Sequence, residues 1–318
     1  MMKQEVKPVE SNALVLAALE AYGMAGAEAR FIRHNENMTY CVNEAYLLRI
    51  HRPRQGFTMD FFHNGMDVSA LHEAELRFLA HLRTCGLQVQ EPLRSRAGKY
   101  VAVLPDGTPA TMLTWLPGRV LEQADLTPET GVALGEMLGN LHKASARDRA
   151  EHKGSFGRYD HALCERLDAL LAGYHARGEL ETPFFAQMSA ALRVIGGALR
   201  KSAASHILVH SDLSLSNILL TEKGPVPIDF SLLGYSTPML DFGSLFCFID
   251  DEACQEQVIR SYEAVTGNCV DRRLIDCCLA LQILLGVALH FAVWAEEPWF
   301  AERLPQWCDE VFVPLIAG

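Results

Sequence analysis

The 318-residue sequence predicts an α+β fold in which a small antiparallel β-sheet with one packed helix precedes a larger, mainly helical part. Two observations carry this prediction. Between residues 29 and 115, short apolar runs alternate with polar or Pro-Gly turns, which is the pattern of antiparallel strands. From residue 127 onward, apolar side chains recur at helical spacing over several long segments, with a strand-rich stretch at residues 207–241 between them.

The first part is predicted to contain a helix, a hairpin, a second helix and another hairpin, in that order: residues 11–21, 29–42 with 45–50, 71–82, and 100–104 with 110–115. Ser11 or Asn12 would cap the first helix, since both side chains accept hydrogen bonds from free amides. The turn Asn43-Glu44 closes the first hairpin, and Pro105-Asp106-Gly107 closes the second.

Helical phase singles out Glu75 in the second helix. The face that carries Phe78, Leu79 and Leu82 also carries Glu75, whereas Glu73 falls outside it. A carboxylate on a buried face requires a cation, because leaving it unpaired costs several kcal/mol. The alternative, in which Glu75 lies at the edge of the face and reaches solvent, stays open.

The second part is predicted to contain five long helices. Thr127 caps the first of them, with Pro128 at its first position. The others cover residues 161–176, 183–201, 250–266 and 271–295, and Gly196-Gly197 is expected to interrupt the second of these. The apolar segment 274–295 contains Asp276, Gln282 and His290, which a lipid-facing span would disfavour. We therefore expect a buried core helix and no membrane partner.

Charge is distributed unevenly along the chain. Residues 1–112 contain 12 basic and 12 acidic side chains, whereas residues 113–318 contain 16 and 27, so the whole net charge of −11 lies in the second part. An acidic surface argues against nucleic acid as a partner, because phosphate neutralisation needs basic clusters. It is compatible with a cationic substrate, and equally with a solvated surface that aids solubility.

Cysteine usage and the N-terminus predict a cytoplasmic protein. Nine cysteines, an odd number without a Cys-x-x-Cys pair, fit neither a disulfide scaffold nor a zinc cluster. Free buried thiols indicate a reducing compartment. The first twelve residues contain no long apolar run after their lysines, so they do not form a secretory signal.

The stretch from Ile207 to Asp241 carries the chemistry. Strand-like runs end at His210-Ser211-Asp212, restart after Asn217, and end again at Asp229. Two carboxylates and a carboxamide thus follow neighbouring strand ends. Oxygen ligands of this kind suit Mg²⁺, which takes a few protein ligands and shares the rest with phosphates.

The spacing His210-x-Asp212-x-x-x-x-Asn217, followed by Asp229-Phe230, resembles the catalytic and metal segments of the protein-kinase-like fold. More narrowly, HSDLSLSNILL with IDFSLLGYSTPMLD resembles the aminoglycoside phosphotransferase and choline kinase superfamily of small-molecule kinases. The resemblance implies a two-lobed fold with ATP and Mg²⁺ as cofactors. Residues 1–113 would form the nucleotide-binding lobe, and residues 114–318 the catalytic and substrate-binding lobe.

The same resemblance implies roles for individual residues. Asp212 would accept the proton of the substrate hydroxyl or orient it, and Asn217 and Asp229 would hold Mg²⁺ against the nucleotide phosphates. His210 and Asp241 would be structural. A plain pair of hairpins with solvated polar turns is the competing interpretation of this stretch.

Further residues of the first part match the nucleotide-binding positions of that family. Arg49 would bind phosphate and pair with Glu75, as in the strand–helix ion pair of kinases. No Gly-x-Gly-x-x-Gly occurs, but the polar segment with Glu36, Asn37 and Met38 could present backbone amides to phosphate. The backbone of Thr114, Trp115 and Leu116 would contact adenine.

The implied function is transfer of the ATP γ-phosphate to a hydroxyl group of a small molecule, such as an aminoglycoside-like compound, an amino alcohol or a sugar-like metabolite. Three alternatives remain. A protein kinase is disfavoured, because only about ten residues separate Asp229 from Asp241 and no Ala-Pro-Glu follows. A catalytically idle nucleotide-binding regulator would be free to lose Asp212, Asn217 and Asp229. A structural helical protein would not bind Mg-ATP.

The C-terminal segment carries one further hypothesis. Aromatic and acidic side chains alternate there: Trp294, Glu296, Glu297, Trp299, Phe300 and Trp307. Aromatic faces beside carboxylates can bind an amine cation. The alternative is that these aromatic side chains pack inward on surface helices. The oligomeric state is not predicted by any feature of the sequence.

Overall fold

A computed structural model describes residues 8–54, 60–63, 65–148 and 156–318 of the chain. The chain divides into two compact units, each built from several stretches. Unit 1 comprises Met1–Arg119, Asp148–Gly157 and Thr221–Ser231, and unit 2 comprises Val120–Arg147, Arg158–Leu220 and Leu232–Gly318. Asp229 therefore belongs to unit 1, whereas Asp212 and Asn217 belong to unit 2.

The described residues form the following strands and helices. The strands are β1 (Ala29–His34), β2 (Met38–Val42), β3 (Tyr46–Ile50), β4 (Val101–Val103), β5 (Pro109–Thr114), β6 (Arg119–Val120), β7 (Gly157–Arg158), β8 (Ile207–Val209), β9 (Ile218–Thr221), β10 (Gly224–Pro227) and β11 (Gly234–Ser236). The helices are α1 (Pro8–Ala21), α2 (Asp60–His63), α3 (Val68–Thr84), α4 (Pro128–Arg147), α5 (His161–Ala176), α6 (Thr182–Lys201), α7 (Met239–Phe246), α8 (Glu252–Thr266), α9 (Arg272–Trp294), α10 (Pro298–Trp307) and α11 (Val313–Ala317).

Most predicted elements are confirmed, and three predictions are wrong in detail. α1 begins at Pro8, so Ser11 and Asn12 lie inside the helix and do not cap it. The strand predicted over residues 29–42 is two strands, because the Asn35 N–H donates to the Asn37 carbonyl (3.2 Å) and closes a turn. α6 runs through Gly196-Gly197 without interruption, because glycine lowers the stability of a helix without necessarily ending it.

Unit 1 is organised around a five-stranded antiparallel sheet with the order β1-β2-β3-β5-β4. α1 covers one face, where its apolar side chains form a core with alternate residues of the strands, among them Met38, Tyr40, Leu48 and Met112. Asp67 immediately precedes α3 and caps it, because its carboxylate accepts hydrogen bonds from the backbone amides of Ser69 and Ala70. Its buried face carries Glu75 together with apolar residues, as helical phase predicts.

Unit 2 is mainly helical, and two close helix contacts place its polar side chains. A Cβ at Gly135 of α4 would overlap the backbone of Val258 in α8, and a Cβ at Gly243 of α7 would overlap the backbone of Cys278 in α9. Glycine at these positions therefore allows each pair of helices to approach closely. α4 and α8 supply His142 and Tyr262 to a buried hydrogen-bond network, in which α7 supplies Asp241.

The helix α9 is the one described helix that is long and apolar enough to cross a membrane by length and composition, with a mean hydropathy of 2.1 over its most apolar window. Half of that window is buried inside the protein. Buried core helices commonly reach such values, which agrees with the interpretation of this segment as a core helix. All nine cysteines lie among the described residues and are free thiols. A cytoplasmic location stays a prediction.

Candidate active site

The predicted ion pair between Arg49 and Glu75 is confirmed. Arg49 on β3 and Glu75 on α3 are 5% and 3% exposed, and the guanidinium Nη2 lies 2.7 Å from the carboxylate Oε1. His72 contacts the other oxygen through Nδ1 at 3.1 Å. Burial alone would raise the pKa of Glu75, but the charge of Arg49 and the hydrogen bond to His72 lower it to about 2. Glu75 is therefore ionised at any physiological pH.

Arg49 also faces a second carboxylate. Its Nη1 lies 3.7 Å from Oδ1 of Asp229, and its Nε donates to Thr111 Oγ1 at 3.3 Å. Burial would lower the pKa of the guanidinium, but the charges of Glu75 and Asp229 outweigh burial and raise it above its ordinary value. A permanent positive charge is thus fixed between two acids at the surface of the sheet, the kind of group that binds phosphate.

Asp229 follows β10 in a strained backbone conformation. Its φ is 63°, in the left-handed region that non-glycine residues seldom adopt. The carboxylate Oδ2 accepts a hydrogen bond from Arg33 Nη2 at 3.2 Å. Oδ1 is buried and accepts no hydrogen bond from the residues that the structure describes. A buried carboxylate oxygen without a donor suits a hard cation such as Mg²⁺.

Asp212 and Asn217 lie in the loop between β8 and β9 of unit 2 and are joined directly. Asn217 Nδ2 donates to the main-chain carbonyl of Asp212 at 2.9 Å and to its carboxylate Oδ2 at 2.8 Å. Because both partners are acceptors, the nitrogen of the amide must face Asp212, and the amide oxygen is the atom left for a cation. The predicted pair of residues is thus present as one hydrogen-bonded unit.

The carboxylate of Asp241 holds this loop by its backbone. Oδ2 accepts the amide of His210 at 3.0 Å, and Oδ1 accepts the amide of Ser211 at 2.7 Å. Ser211 has a φ of 69°, so the loop turns sharply immediately before Asp212. His210 is fully buried, and its Nδ1 accepts the amide of Asp212 at 3.3 Å, a structural contact of the kind expected for this histidine.

Asp241 is in turn held by His142 of α4. His142 Nε2 lies 2.9 Å from Oδ2 of Asp241, and its Nδ1 lies 3.1 Å from the hydroxyl of Tyr262. In the neutral imidazole, Nε2–H donates to the carboxylate and Nδ1 accepts from the tyrosine. Burial would raise the pKa of Asp241, but the His142 hydrogen bond, nearby imidazoles and the Ser211 amide lower it below its ordinary value. Three hydrogen-bond donors thus fix one fully buried carboxylate, and Tyr262 holds one of them, His142.

The predicted phosphate-binding residues Glu36 and Asn37 lie in the turn between β1 and β2, whereas Met38 is the first residue of β2 and its side chain is buried. Within the described residues, no hydrogen bond occupies the backbone N–H groups of Glu36 and Asn37. Asn37 Oδ1 lies 2.7 Å from His51 Nδ1, and the His51 ring stacks on His72 with 3.5 Å between centroids. This polar contact chain links the turn to the Arg49–Glu75 pair, and the sequence analysis missed both histidines in it.

The predicted adenine-contacting backbone, residues 114–116, is partly engaged within unit 1. Thr114 N–H donates to the Glu91 carbonyl at 2.9 Å, and Trp115 N–H donates to the Ala45 carbonyl at 2.8 Å. The Thr114 carbonyl accepts from the Gln90 side chain at 3.1 Å. Within the described residues, no hydrogen bond occupies the Trp115 carbonyl or the backbone of Leu116, so the prediction is narrowed to these groups.

No group of three or more His, Cys, Asp or Glu side chains that could hold a metal occurs among the described residues. Mg²⁺ is commonly held by one or two side chains and completes its shell with phosphate oxygens and water. Asp229 offers a carboxylate oxygen and Asn217 offers an amide oxygen, and each is a type of ligand that Mg²⁺ takes from proteins.

The aromatic residues of the C-terminal segment pack largely on one another. The ring of Trp294 lies 5.2 Å from that of Trp299 and 6.5 Å from that of Trp307, and Phe300 is buried between them. The Arg303 guanidinium lies over Trp307 at 5.6 Å. Trp299 remains 44% exposed. Contact of this segment with a cationic substrate stays a prediction.

Two residues that the sequence analysis did not place at the site contact it in the structure. Arg33 on β1 reaches Asp229, as described above. Gln282 on α9 donates to the main-chain carbonyl of Ser211 at 2.9 Å. A polar residue in an otherwise apolar helix is a recognisable signal, whereas nothing distinguishes Arg33 from other arginines in the sequence.

Comparison with known proteins identifies the family. Residues 28–273 match the model of the phosphotransferase enzyme family, APH. The chain belongs to this family. Amicoumacin kinase of Bacillus subtilis (strain 168) is 26% identical over 241 residues, which cover 73% of this chain and 67% of that protein.

Solved structures show the same fold. An amicoumacin kinase, hAmiN, in complex with AMP-PNP and Ca²⁺ has a TM-score of 0.69 at 20% identity, covering 96% of this chain and 92% of its own. A microcompartment-associated aminopropanol kinase has a TM-score of 0.67 at 23% identity and covers 94% of both chains. The GDP and kanamycin complex of APH(2")-IIia has a TM-score of 0.67 at 15% identity, covering 96% and 99%.

The predicted fold class is thus confirmed: the chain has the α+β, protein-kinase-like fold of small-molecule kinases. The protein is an enzyme of the phosphotransferase class, whose members act on hydroxyl groups of small molecules.

Proposed function

We propose that the protein transfers the γ-phosphate of ATP to a hydroxyl group of a small molecule in a reaction that requires Mg²⁺. The observation that carries this proposal is the position of Arg49 in unit 1, 2.7 Å from Glu75 and 3.7 Å from Asp229. A buried cation beside a carboxylate with an unused oxygen is what a metal-bound polyphosphate requires. Such an arrangement has no evident structural purpose, since an apolar pair would stabilise the unit at least as well.

In this proposal unit 1 binds the nucleotide. Arg49 neutralises phosphate charge, and Glu75 fixes its orientation through the hydrogen bond between them. The backbone amides of Glu36, Asn37 and Met38 approach the phosphates, supported by the unoccupied N–H groups of the first two. Residues 114–116 meet adenine through the Trp115 carbonyl and the Leu116 backbone, the groups that no hydrogen bond occupies among the described residues.

Asn217 and Asp229 are the proposed ligands of Mg²⁺. When bound, the cation neutralises phosphate charge and polarises the γ-phosphoryl group for in-line attack. Two observations support this assignment. The amide nitrogen of Asn217 donates to Asp212, which fixes the orientation of its amide oxygen, and the backbone of Asp229 is held in a left-handed conformation.

Asp212 is the proposed catalytic base. Its carboxylate accepts a hydrogen bond from Asn217, which limits its rotation, and its backbone position is fixed through Asp241. A base so placed orients the acceptor hydroxyl and takes its proton as the new P–O bond forms.

The proposed acceptor is a small molecule that carries a hydroxyl group and an amine. Two of the relatives are named for aminopropanol and amicoumacin, and another was solved with kanamycin. The excess of acidic residues after position 112 is compatible with a cationic acceptor. The half-exposed Trp299 beside Glu296 and Glu297 could contribute to its recognition.

Substitution of Asp212 by asparagine tests the catalytic role. We expect turnover to fall by about a hundredfold to ten-thousandfold while the ATP dissociation constant changes little, because a general base acts on the acceptor and not on the nucleotide. Turnover is measured by ADP release over a panel of amino alcohols and aminoglycosides, and binding by calorimetry. The exposed Asp250→Asn serves as the matched control.

Near-normal turnover in Asp212→Asn would remove that residue from the role. If the wild-type protein binds Mg-ATP without turnover of any acceptor, the regulator interpretation would be favoured. A nucleotide near 100 times its dissociation constant stabilises a protein by about 2.7 kcal/mol. The absence of any increase in melting temperature with Mg-ATP would contradict nucleotide binding itself.

A further inference from the structure

Arg33 contacts the same carboxylate as Arg49 but in a different setting. Its Nη2 lies 3.2 Å from Oδ2 of Asp229, and its side chain is 51% exposed, whereas that of Arg49 is 6% exposed. Both arginines lie in unit 1, on the outer strand β1 and on β3. Nothing in the proposed function uses Arg33.

A single extra residue in β1 gives Arg33 this position. Phe31 pairs with Tyr40, but Arg33 pairs with Thr39, so Ile32 is an added residue that shifts the register by one. Thr39 in turn pairs with Arg49, and residues directly opposite in a sheet share one face. Arg33 therefore lies on the face that carries Arg49.

Without this bulge the side chain would lie on the wrong face. In the register that holds up to Phe31, Arg33 would oppose Met38, which is 2% exposed in the apolar core with α1. A shift of one residue transfers a side chain to the opposite face of a sheet. Bulges are frequent beside active sites, where they redirect a side chain.

The two arginines differ in how firmly they are held. Arg49 is buried against Glu75 and hydrogen-bonded to Thr111, so its guanidinium is held in one orientation. Arg33 makes one half-exposed ion pair, and exposed pairs of this kind contribute little to stability. Its five donors can therefore exchange the carboxylate for a phosphate at small cost when Asp229 takes up a cation.

We propose that Arg33 is a second phosphate-binding residue of the nucleotide site, placed there by the one-residue bulge in β1. It releases Asp229 when that carboxylate binds the metal and then donates to the phosphates of the nucleotide. This inference rests on the proposed function, since it requires that Asp229 holds Mg²⁺ beside the nucleotide.

The test measures binding of a non-hydrolysable ATP analogue by calorimetry, once with Mg²⁺ and once with EDTA. We expect Arg33→Gln to weaken binding about tenfold with Mg²⁺, since a charge-assisted hydrogen bond to phosphate is lost. With EDTA the effect should be much smaller, because without a cation Arg33 stays paired with Asp229. Arg33→Lys should lie between this variant and the wild type. Arg30→Gln is the matched control: Arg30 is on the same strand, is exposed, and forms no ion pair with another described residue. Its affinity should equal that of the wild type.

Unchanged binding by Arg33→Gln would overturn the inference. So would tighter binding with Mg²⁺, because Arg33 would then act only as a competitor of the metal for Asp229. Asp229→Asn distinguishes the role of Arg33 from the proposed role of Asp229 as a Mg²⁺ ligand. If that variant keeps the Mg²⁺ dependence of binding, the proposed role of Asp229 fails. If it loses the dependence while Arg33→Gln changes nothing, only the role of Arg33 fails. Melting temperatures without ligand, expected to agree between the wild type and all three arginine variants, check that each variant is folded.

Discussion

Two buried carboxylates, Glu75 in unit 1 and Asp241 in unit 2, are stabilised by different kinds of partner. Glu75 pairs with the guanidinium of Arg49, a permanent charge, at 2.7 Å. Asp241, which is fully buried, accepts hydrogen bonds from the backbone amides of His210 and Ser211 and from the His142 imidazole. In both cases the surroundings lower the pKa of the acid.

Because the partners differ, we expect Glu75 to act through charge and Asp241 to act through the position of the backbone that it holds. Glu75 orients a cation that also faces Asp229, so under the proposed function its effect would reach the nucleotide through charge. Asp241 has no such cation among the described residues; it fixes the backbone on the N-terminal side of Asp212, so under the same proposal its effect would reach the acceptor through position. Loss of Glu75 should therefore act on nucleotide affinity, and loss of Asp241 on turnover.

The largest effect is expected for Asp241→Asn. An amide presents one acceptor oxygen and one NH₂ group, so at least one of the three donors around it would face another donor. We expect the free energy of unfolding to fall by about 3 kcal/mol, as for a broken buried pair, and turnover to fall by about a hundredfold or more. Urea unfolding and ADP-release assays measure both, with the exposed Asp309→Asn as control. Loss of nucleotide affinity with normal turnover would contradict the contrast drawn here.

A smaller effect is expected for Glu75→Gln, and it should depend on pH. The pKa of Glu75 is about 2 in the folded protein against 4.5 ordinarily, so its stabilising contribution is complete above pH 4.5. It declines as the pH falls from 4.5 towards 2, because the unfolded state takes up its proton first. The difference in unfolding free energy between wild type and variant should shrink over this window.

Urea unfolding at a series of pH values, together with nucleotide titration at neutral pH, measures this variant. Glu75→Gln should also weaken nucleotide binding about tenfold, since Arg49 loses its orienting partner. Glu20→Gln, at an exposed acid of α1, is the control variant in both measurements. A pH-independent difference for Glu75→Gln would contradict its assignment as a charged partner of Arg49.

The smallest effect is expected for Tyr262→Phe. This change removes the hydroxyl that lies 3.1 Å from His142 Nδ1 but leaves the imidazole bonded to Asp241. We expect a loss of about 1 kcal/mol in unfolding free energy and less than a threefold change in turnover. Thermal unfolding and the same kinetic assay measure it. A loss of turnover as large as in Asp241→Asn would mean that the outer part of the network also sets the position of Asp212.

Sequence patterns predicted the Arg49–Glu75 pair but only part of the Asp241 network. The resemblance to kinases singled out Arg49, and helical periodicity placed Glu75 on the buried face of its helix. Asp241 could be recognised as structural, yet its partner His142 lies 99 residues earlier in the chain. Local propensity carries no information about such a contact, because the approach of α7 to α4 is decided by packing of the whole helical unit.

The sequence by itself determined the fold class, most helices and strands, and the residue types that can bind Mg²⁺ and phosphate, because these depend on hydrophobic periodicity and on motif spacing. Only the tertiary structure decided which side chains share a face. The added residue Ile32 moves Arg33 from the core side of the sheet to the side of Arg49. The alternation of side chains along a strand does not reveal where such a register shift occurs. The strained backbone at Ser211 and Asp229 is likewise set by long-range contacts, which alone can hold residues in that conformation.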